Sequence, residues 1–136
     1  MNTIYVASKT THAPMWRDLR KAGHNIISTW IDEAEPGQTE DMGELWRRID
    51  IEVMNADALL IYRATPDEQL KGAYVELGMA MSNRVPVFAV GFDVGPVPSF
   101  IQYPILMNKT PIIVRYPTVS DALAAIPERC AAYASG

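Results

Sequence analysis

The sequence is poor in cysteine and histidine, which restricts the chemistry open to it. Cys130 is the single cysteine among 136 residues, so no intrachain disulfide forms and a reducing, cytoplasmic setting is expected. It lies in a helical pattern near the end of the chain and is interpreted as a packing residue. His12 and His24 are the two histidines, and both are far from the cysteine along the chain. No zinc site is therefore expected.

Long apolar runs and the common phosphate-binding motifs are also missing. No stretch approaches the ~20 apolar residues of a membrane span, and the N-terminus lacks the pattern of a signal peptide. The motifs GxGxxG, GxxxxGK[ST] and GxSxG do not occur. We therefore predict no membrane association, no cofactor and no serine-hydrolase triad.

Positive charge is sparse as well. Twelve Lys and Arg residues face sixteen Asp and Glu residues, for a net charge of −4. Lys and Arg lead the binding of polyanions, so a nucleic-acid polymer is not the expected partner. A single nucleotide needs only a local pocket and stays open. With 49% hydrophobic and 21% charged residues, the composition is typical of one globular domain over residues 1–136.

Short apolar runs alternate with helical patterns along the chain. The runs predict strands over residues 3–7, 24–29, 57–64, 85–91 and 110–117. This alternation indicates a parallel sheet with helices on both faces, of the flavodoxin-like or Rossmann-like class with five strands. Ligands of such sheets bind beyond the carboxyl ends of the strands, so the loops there are the candidate site.

One acid interrupts an apolar helical pattern. Glu76 lies among Tyr74, Val75 and Leu77, shortly after Gly72. The start of a helix favours negative charge and is expected to keep this carboxylate ionised. An ionised, positioned carboxylate suits nucleophilic attack on an anomeric carbon. An acid that only stabilises the helix dipole remains the alternative.

Three segments together resemble the nucleoside 2-deoxyribosyltransferase family. They are "IYVA", "RRIDIEVMNADALLIY" and "GAYVELGMAMSNRVPVFAV". The resemblance extends to the family's hydrolytic relatives, the 2′-deoxynucleoside 5′-monophosphate N-glycosidases, and covers residues 3–90. The matching positions are Tyr5, Asp50, Ala56, Asp57, Gly72, Glu76, Gly78 and Ala80.

The resemblance implies cleavage of an N-glycosidic bond through a covalent glycosyl-Glu intermediate. Glu76 would attack C1′, and Tyr5 would hold its carboxylate by a hydrogen bond. Asp50 or Asp57 would protonate or orient the departing base. Transfer follows when a second base accepts the sugar, and hydrolysis follows when water does. From the residues alone, Tyr5 is also typical of a core, Asp50 of a solvated helix face and Asp57 of a strand start.

Substrate-binding residues are expected in the loops. Ser8, Lys9 and Thr10 stand where the first loop meets a helix N-terminus, a suitable place for a phosphate. Trp30 either stacks on a base or caps the core. Gly72 stands at the entry to the Glu76 helix. In the transferases a C-terminal segment of a neighbouring subunit completes the site, which suggests a homo-oligomer, at least a dimer, with Ser99 and Asn108 as candidates.

A different class of function is also compatible with the sequence. Ala7, Ser8 and Lys9 follow the first strand where the family has a glycine. A non-catalytic nucleotide-binding sensor domain of TIR-like or SLOG-like type is therefore the alternative to an enzyme. A domain that only binds a protein partner is the third possibility.

Overall fold

The computed structural model describes residues 1–65, 67, 69–93, 95–102, 106–107 and 110–134. Its main sheet is parallel, with the strand order β1-β2-β3-β6. A second, antiparallel pair joins β4 to β5. The strands are β1 (Ile4–Ala7), β2 (Ala58–Tyr62), β3 (Val87–Val90), β4 (Leu106–Met107), β5 (Thr110–Pro111) and β6 (Ile113–Tyr116).

The helices agree in position with the helical patterns of the sequence, and the structure adds one short helix before β4. They are α1 (Ala13–Lys21), α2 (Met42–Asn55), α3 (Gly72–Ser82), α4 (Ser99–Gln102) and α5 (Val119–Ala134). The Asp41 carboxylate caps α2 by accepting a hydrogen bond from the Glu44 N–H at 3.1 Å. The Thr118 hydroxyl caps α5 in the same way, accepting from the Asp121 N–H at 3.0 Å. Both are polar caps of the kind that helix starts prefer.

Helices cover both faces of the main sheet. Side chains alternate between the faces along each strand, so residues paired across strands share a face. Tyr5 belongs to the row that faces α3, because its hydroxyl contacts Glu76 of that helix. Phe88 belongs to the opposite row, where its ring lies under the guanidinium of Arg129 on α5. The strands are consequently buried on both sides, as their continuous apolar runs predict.

The predicted strand over residues 24–29 does not form, so the main sheet has four strands and not five. A single parallel bridge, between Ile4 and Ile26, joins this segment to β1. Further along, side chains take the hydrogen bonds that a fifth strand would use. The Val6 N–H donates to the Ser28 hydroxyl at 2.7 Å, and the Val6 carbonyl accepts from the Trp30 indole N–H at 2.8 Å.

The chain segments that leave β2 and β3 approach each other closely. Gly91 has a φ of +89°, and a Cβ there would lie 1.8 Å from the Arg63 carbonyl oxygen. The Arg63 guanidinium also donates to the carbonyls of Gly91 at 3.2 Å and Pro96 at 2.9 Å. Glycine is thus required at position 91 both by its φ and by the lack of space.

Across the ranges that the structure describes, no helix has the length and apolar character needed to cross a membrane.

Candidate active site

A cavity of about 430 Å³ lies at the carboxyl ends of β1 and β2. This volume is in the range of small-molecule sites. We call it the Glu76 cavity. Its lining residues are Ser8, Lys9, Thr10, Trp30, Met42, Leu45, Trp46, Ile49, Gln69, Leu70, Lys71, Gly72, Ala73 and Glu76. The loop after β1 therefore faces the starts of α2 and α3 across the edge of the sheet where the sequence places the site.

Glu76 is the acid of this cavity, and Tyr5 holds it. The Tyr5 hydroxyl donates a short hydrogen bond to Oε1 of the Glu76 carboxylate. Tyr5 is fully buried, and Glu76 is only 6% exposed. The Tyr5 phenol is positioned by β1, and the Glu76 carboxylate is positioned by α3. Because the hydrogen bond from Tyr5 engages Oε1, it orients the carboxylate and leaves the second oxygen, Oε2, outside that bond.

The charge state of Glu76 differs from the expectation based on the helix start. Burial is the main cause that raises its pKa, to about 7, and the negative charge of Glu52 raises it further. The hydrogen bond from Tyr5 acts in the opposite direction and lowers it. Glu76 lies in the second turn of α3, and no acid occupies the first turn. Loss of hydration therefore outweighs the helix dipole, and this carboxyl exchanges its proton near neutral pH.

Tyr5 stays protonated over the whole physiological range. Burial, followed by the charge of Glu76, raises the pKa of its hydroxyl far above the ordinary value for tyrosine. It is consequently a permanent donor to Glu76 and not a base.

The two aspartates proposed as general acids do not join this pair. Asp50 is exposed on α2, where Leu45 and Ile49 form the side that lines the cavity. Asp57 is exposed at the amino end of β2, and its carboxylate accepts from the Thr3 N–H at 2.8 Å and hydroxyl at 3.1 Å. That position is the opposite edge of the sheet. Asp57 instead fixes the start of β1.

The loop after β1 lines the cavity. Ser8, Lys9 and Thr10 all contribute, and the last two are exposed. The Ser8 hydroxyl is engaged on both sides. It accepts from the Trp16 indole N–H at 2.8 Å and donates to the Lys9 carbonyl at 2.9 Å. The loop is thereby anchored to α1.

Trp30 and Gly72 also line the cavity. Trp30 is 6% exposed and lies on a short 3-10 turn, Thr29–Asp32, whose Ile31 carbonyl accepts from Arg17 of α1 at 2.7 Å. A Cβ on Gly72 would lie 3.4 Å from the ring of Trp46. The Trp46 indole therefore lies against the start of α3, at a distance that a Cβ on residue 72 would meet as an ordinary van der Waals contact.

The remaining candidates lie elsewhere. Ser99 is exposed at the start of α4 and does not line the Glu76 cavity. Asn108 lies outside the described residues.

Glu52 and Trp46 are site residues that the sequence analysis missed. The Glu52 carboxylate accepts from the Thr29 N–H at 3.1 Å and hydroxyl at 2.7 Å, and its charge raises the pKa of both Glu76 and Tyr5. Trp46 and Glu52 each lie three positions from Ile49, an apolar residue of α2. Residues three apart share a helix face, so this spacing is the sequence signal that places both on the side of α2 that carries Ile49.

A second polar pair, His12 and Asp67, was also missed. His12 Nε2 and Asp67 Oδ2 are 2.7 Å apart, and the same oxygen accepts from the Ala64 N–H at 2.9 Å. Burial alone would raise the pKa of Asp67, but these hydrogen bonds outweigh it and lower the pKa. The pair ties the loop after β1 to the loop after β2. No sequence signal joins two residues so far apart.

Within the described part of the chain, no group of three or more His, Cys, Asp or Glu side chains is placed to hold a metal ion. Among the described residues, the cavity lining offers one carboxylate, the side chains of Lys9 and Lys71, and an apolar, partly aromatic wall.

Comparison with known proteins gives one kind of evidence. No protein-family model and no curated protein sequence matches the chain. Among solved structures, a Clostridium botulinum CMP N-glycosidase, BcmB, matches with a TM-score of 0.55. The two proteins share a fold. The match covers 92% of this chain and 98% of that chain, at 10% sequence identity. Identity this low establishes the architecture alone.

Proposed function

We propose that this protein is an N-glycosidase of a small nucleoside or nucleotide, with Glu76 as its nucleophile. The observation that carries the proposal is the Glu76 carboxylate. It accepts a hydrogen bond from Tyr5 and lines a cavity of small-molecule size. The architecture shared with a CMP N-glycosidase supports it. The sequence resemblance to deoxyribosyltransferases suggests a 2-deoxyribosyl group as the sugar and the 5′-monophosphate as one form of the substrate.

The proposed reaction has two steps at C1′. Ionised Glu76 attacks C1′ through Oε2 while Tyr5 binds Oε1, and the bond from C1′ to the base breaks. Water then attacks C1′ of the glycosyl ester and releases the sugar, so that the anomeric configuration is retained. A second base in place of water would give transfer.

The polar and aromatic parts of the cavity suit the two ends of such a substrate. Lys9, Thr10 and Lys71 line it and are exposed or lie at its rim, where they would bind a 5′-phosphate. Trp30 and Trp46 line the same cavity and would pack on the base. By the same resemblance we propose a homo-oligomer, which sedimentation of the purified chain would test.

The experiment compares wild type with Glu76→Gln on a panel of nucleosides, deoxynucleosides and their 5′-monophosphates. Released base is measured by chromatography. We expect wild type to release base from at least one member and the variant to release none. The matched control is Glu128→Gln, an exposed acid on α5, which should keep full activity. Equal base release by wild type and Glu76→Gln would remove Glu76 from its role.

A nucleotide sensor is the second candidate. It is favoured by the position of Asp50 and Asp57, both outside the Glu76 cavity. Calorimetry that detects tight binding of a nucleotide which the protein never cleaves would select this function over the first.

A further inference from the structure

The Glu76 cavity has one carboxylate among its described lining residues. The residues of α2 that line the cavity are apolar, and Ala73 at the start of α3 adds to this apolar wall. These residues are Met42, Leu45, Trp46, Ile49 and Ala73. The cavity therefore offers a nucleophile, an apolar and aromatic wall, and a polar part formed by loop residues that include Lys9 and Lys71.

The other described acids near this region are committed elsewhere. Asp50 and Asp57 lie outside the cavity, as set out above. Glu52 is bound by the N–H and hydroxyl of Thr29. Asp67 is bound by His12 and the Ala64 N–H. Asp41 caps α2, and Glu44 pairs with Arg47 and Arg48. Glu76 is the one acid among the described lining residues, so none of these other carboxyls is placed to protonate a departing base.

A neutral base leaves its sugar poorly unless an acid protonates it, which is why glycosidases pair a nucleophile with a general acid. A ring bound to the sugar through a positively charged nitrogen has no such need, because it takes the bonding electrons and departs uncharged. We propose, on the basis of the N-glycosidase function above, that the substrate is a cationic N-glycoside, such as a pyridinium nucleoside or nucleotide.

The apolar wall favours this reaction beyond merely permitting it. As the bond breaks, positive charge leaves the ring and develops on the sugar beside Glu76. Burial against Leu45 and Ile49 disfavours charge on the ring, and the carboxylate favours charge at C1′. The cavity thus interacts better with the transition state than with the bound substrate, which is the condition for catalysis.

The steps balance without another reactant than water. In the first, the bond between C1′ and the ring nitrogen breaks, its electron pair neutralises the ring, and an oxygen of ionised Glu76 bonds to C1′. In the second, a water oxygen bonds to C1′, the ester bond breaks and its electron pair returns to Glu76. The proton of that water passes to solvent. The net reaction converts the cationic glycoside and water into free sugar, neutral base and a proton.

The test uses matched pairs of substrates on the intact chain. One pair is N-ribosylnicotinamide and its uncharged dihydro form, and the other is guanosine methylated at N7 and guanosine, each also as the 5′-monophosphate. The measured quantity is kcat/KM for base release from each member. We expect kcat/KM to favour the cationic member by about 10² or more, because the uncharged member lacks the 10²–10⁴-fold contribution that a general acid would supply.

The outcomes separate the inference from the function on which it rests. Equal values of kcat/KM for both members, with activity that depends on Glu76, would overturn the cationic substrate class and leave the N-glycosidase function standing. No cleavage of any member, together with none on the wider nucleotide panel, would overturn both.

The pH profile gives an independent readout. Without a general acid, kcat/KM for the neutral member, which needs protonation to leave, should rise as Glu76 ionises and then stay level at higher pH. Glu68 precedes the cavity residue Gln69 in sequence and lies outside the described residues, so Glu68→Gln is included. We expect the same profile from it. A profile that falls at high pH in wild type and loses that fall in Glu68→Gln would identify a general acid and overturn the inference.

Discussion

Tyr5 donates a hydrogen bond to the carboxylate of Glu76, and this bond joins β1 to α3 beneath the cavity. The two residues are 71 positions apart. Tyr5 is fully buried, so its hydroxyl cannot exchange this partner for bulk water without opening the core. The charge state and the orientation of the proposed nucleophile therefore depend on a residue that does not itself line the cavity.

Replacing Tyr5 with phenylalanine should move the pH dependence of base release to higher pH. In wild type the hydrogen bond from Tyr5 lowers the pKa of Glu76. Without it the pKa rises, and the carboxyl stays protonated up to a higher pH. We expect the midpoint to rise by about one to two pH units, since a hydrogen bond to a charged group is worth about 1.5–3 kcal/mol and one pH unit corresponds to about 1.4 kcal/mol. Tyr74→Phe, a half-buried tyrosine of α3 outside the cavity, is the control. An unchanged midpoint in Tyr5→Phe would contradict the assigned role.

Glu76 should make the protein less stable as the pH rises. Its pKa is about 7 in the folded chain, against an ordinary value of 4.5, so the folded state binds the proton more tightly than the unfolded state. Its stability contribution is then full below pH 4.5 and is lost as pH rises through about 7, a change of roughly 3 kcal/mol.

Urea unfolding of wild type and Glu76→Gln across this pH range measures the effect. The amide does not titrate, so the difference between the two proteins should shift in favour of the variant as the pH rises. A difference that stays constant between pH 4 and 8 would show that Glu76 has an ordinary pKa.

Asp50→Asn and Asp57→Asn should each leave base release unchanged, because neither carboxylate lines the cavity. They should differ in stability. Asp57 binds the N–H and hydroxyl of Thr3, so its replacement should cost about 1 kcal/mol, whereas exposed Asp50 should cost less than that. Thermal unfolding and the base-release assay check both parts. A large loss of kcat in either variant would show that the replaced aspartate takes part in the reaction.

Two glycines provide a matched test of the fold. Gly91→Ala should destabilise the chain by several kcal/mol or prevent folding, because its Cβ would overlap the Arg63 carbonyl at a φ of +89°. Gly78→Ala lies in α3 with nothing within 4 Å of the new Cβ. It should stabilise the helix by up to about 1 kcal/mol. Similar melting temperatures for the two variants would be inconsistent with the described geometry.

The sequence predicts local structure well here, and some of the site. The apolar runs at β2 and β3 and the acid within the α3 pattern are strong local signals, and they place Glu76 at the correct edge of the sheet. The contact between Tyr5 and Glu76 was expected only from the resemblance to the deoxyribosyltransferase family. The failures are nonlocal. Residues 24–29 carry a strand pattern, but Ser28 and Trp30 take the hydrogen bonds of Val6 with side chains.

The pKa of Glu76 could not be predicted for a similar reason. The position of the acid in its helix is readable from the sequence, whereas its burial depends on how α2 packs over α3. Asp50 illustrates the same limit, because one position along a helix rotates a side chain by about 100° and here separates the cavity from solvent.

Trp30 connects the cavity to the edge of the main sheet. Its indole lines the cavity and also occupies a carbonyl on the outer edge of β1. An open strand edge is a template for pairing with other chains. A substitution that widened the cavity at this position would leave the Val6 carbonyl open at that edge, so adaptation to a larger ligand by this route would carry a cost in protection of β1 against pairing with other chains.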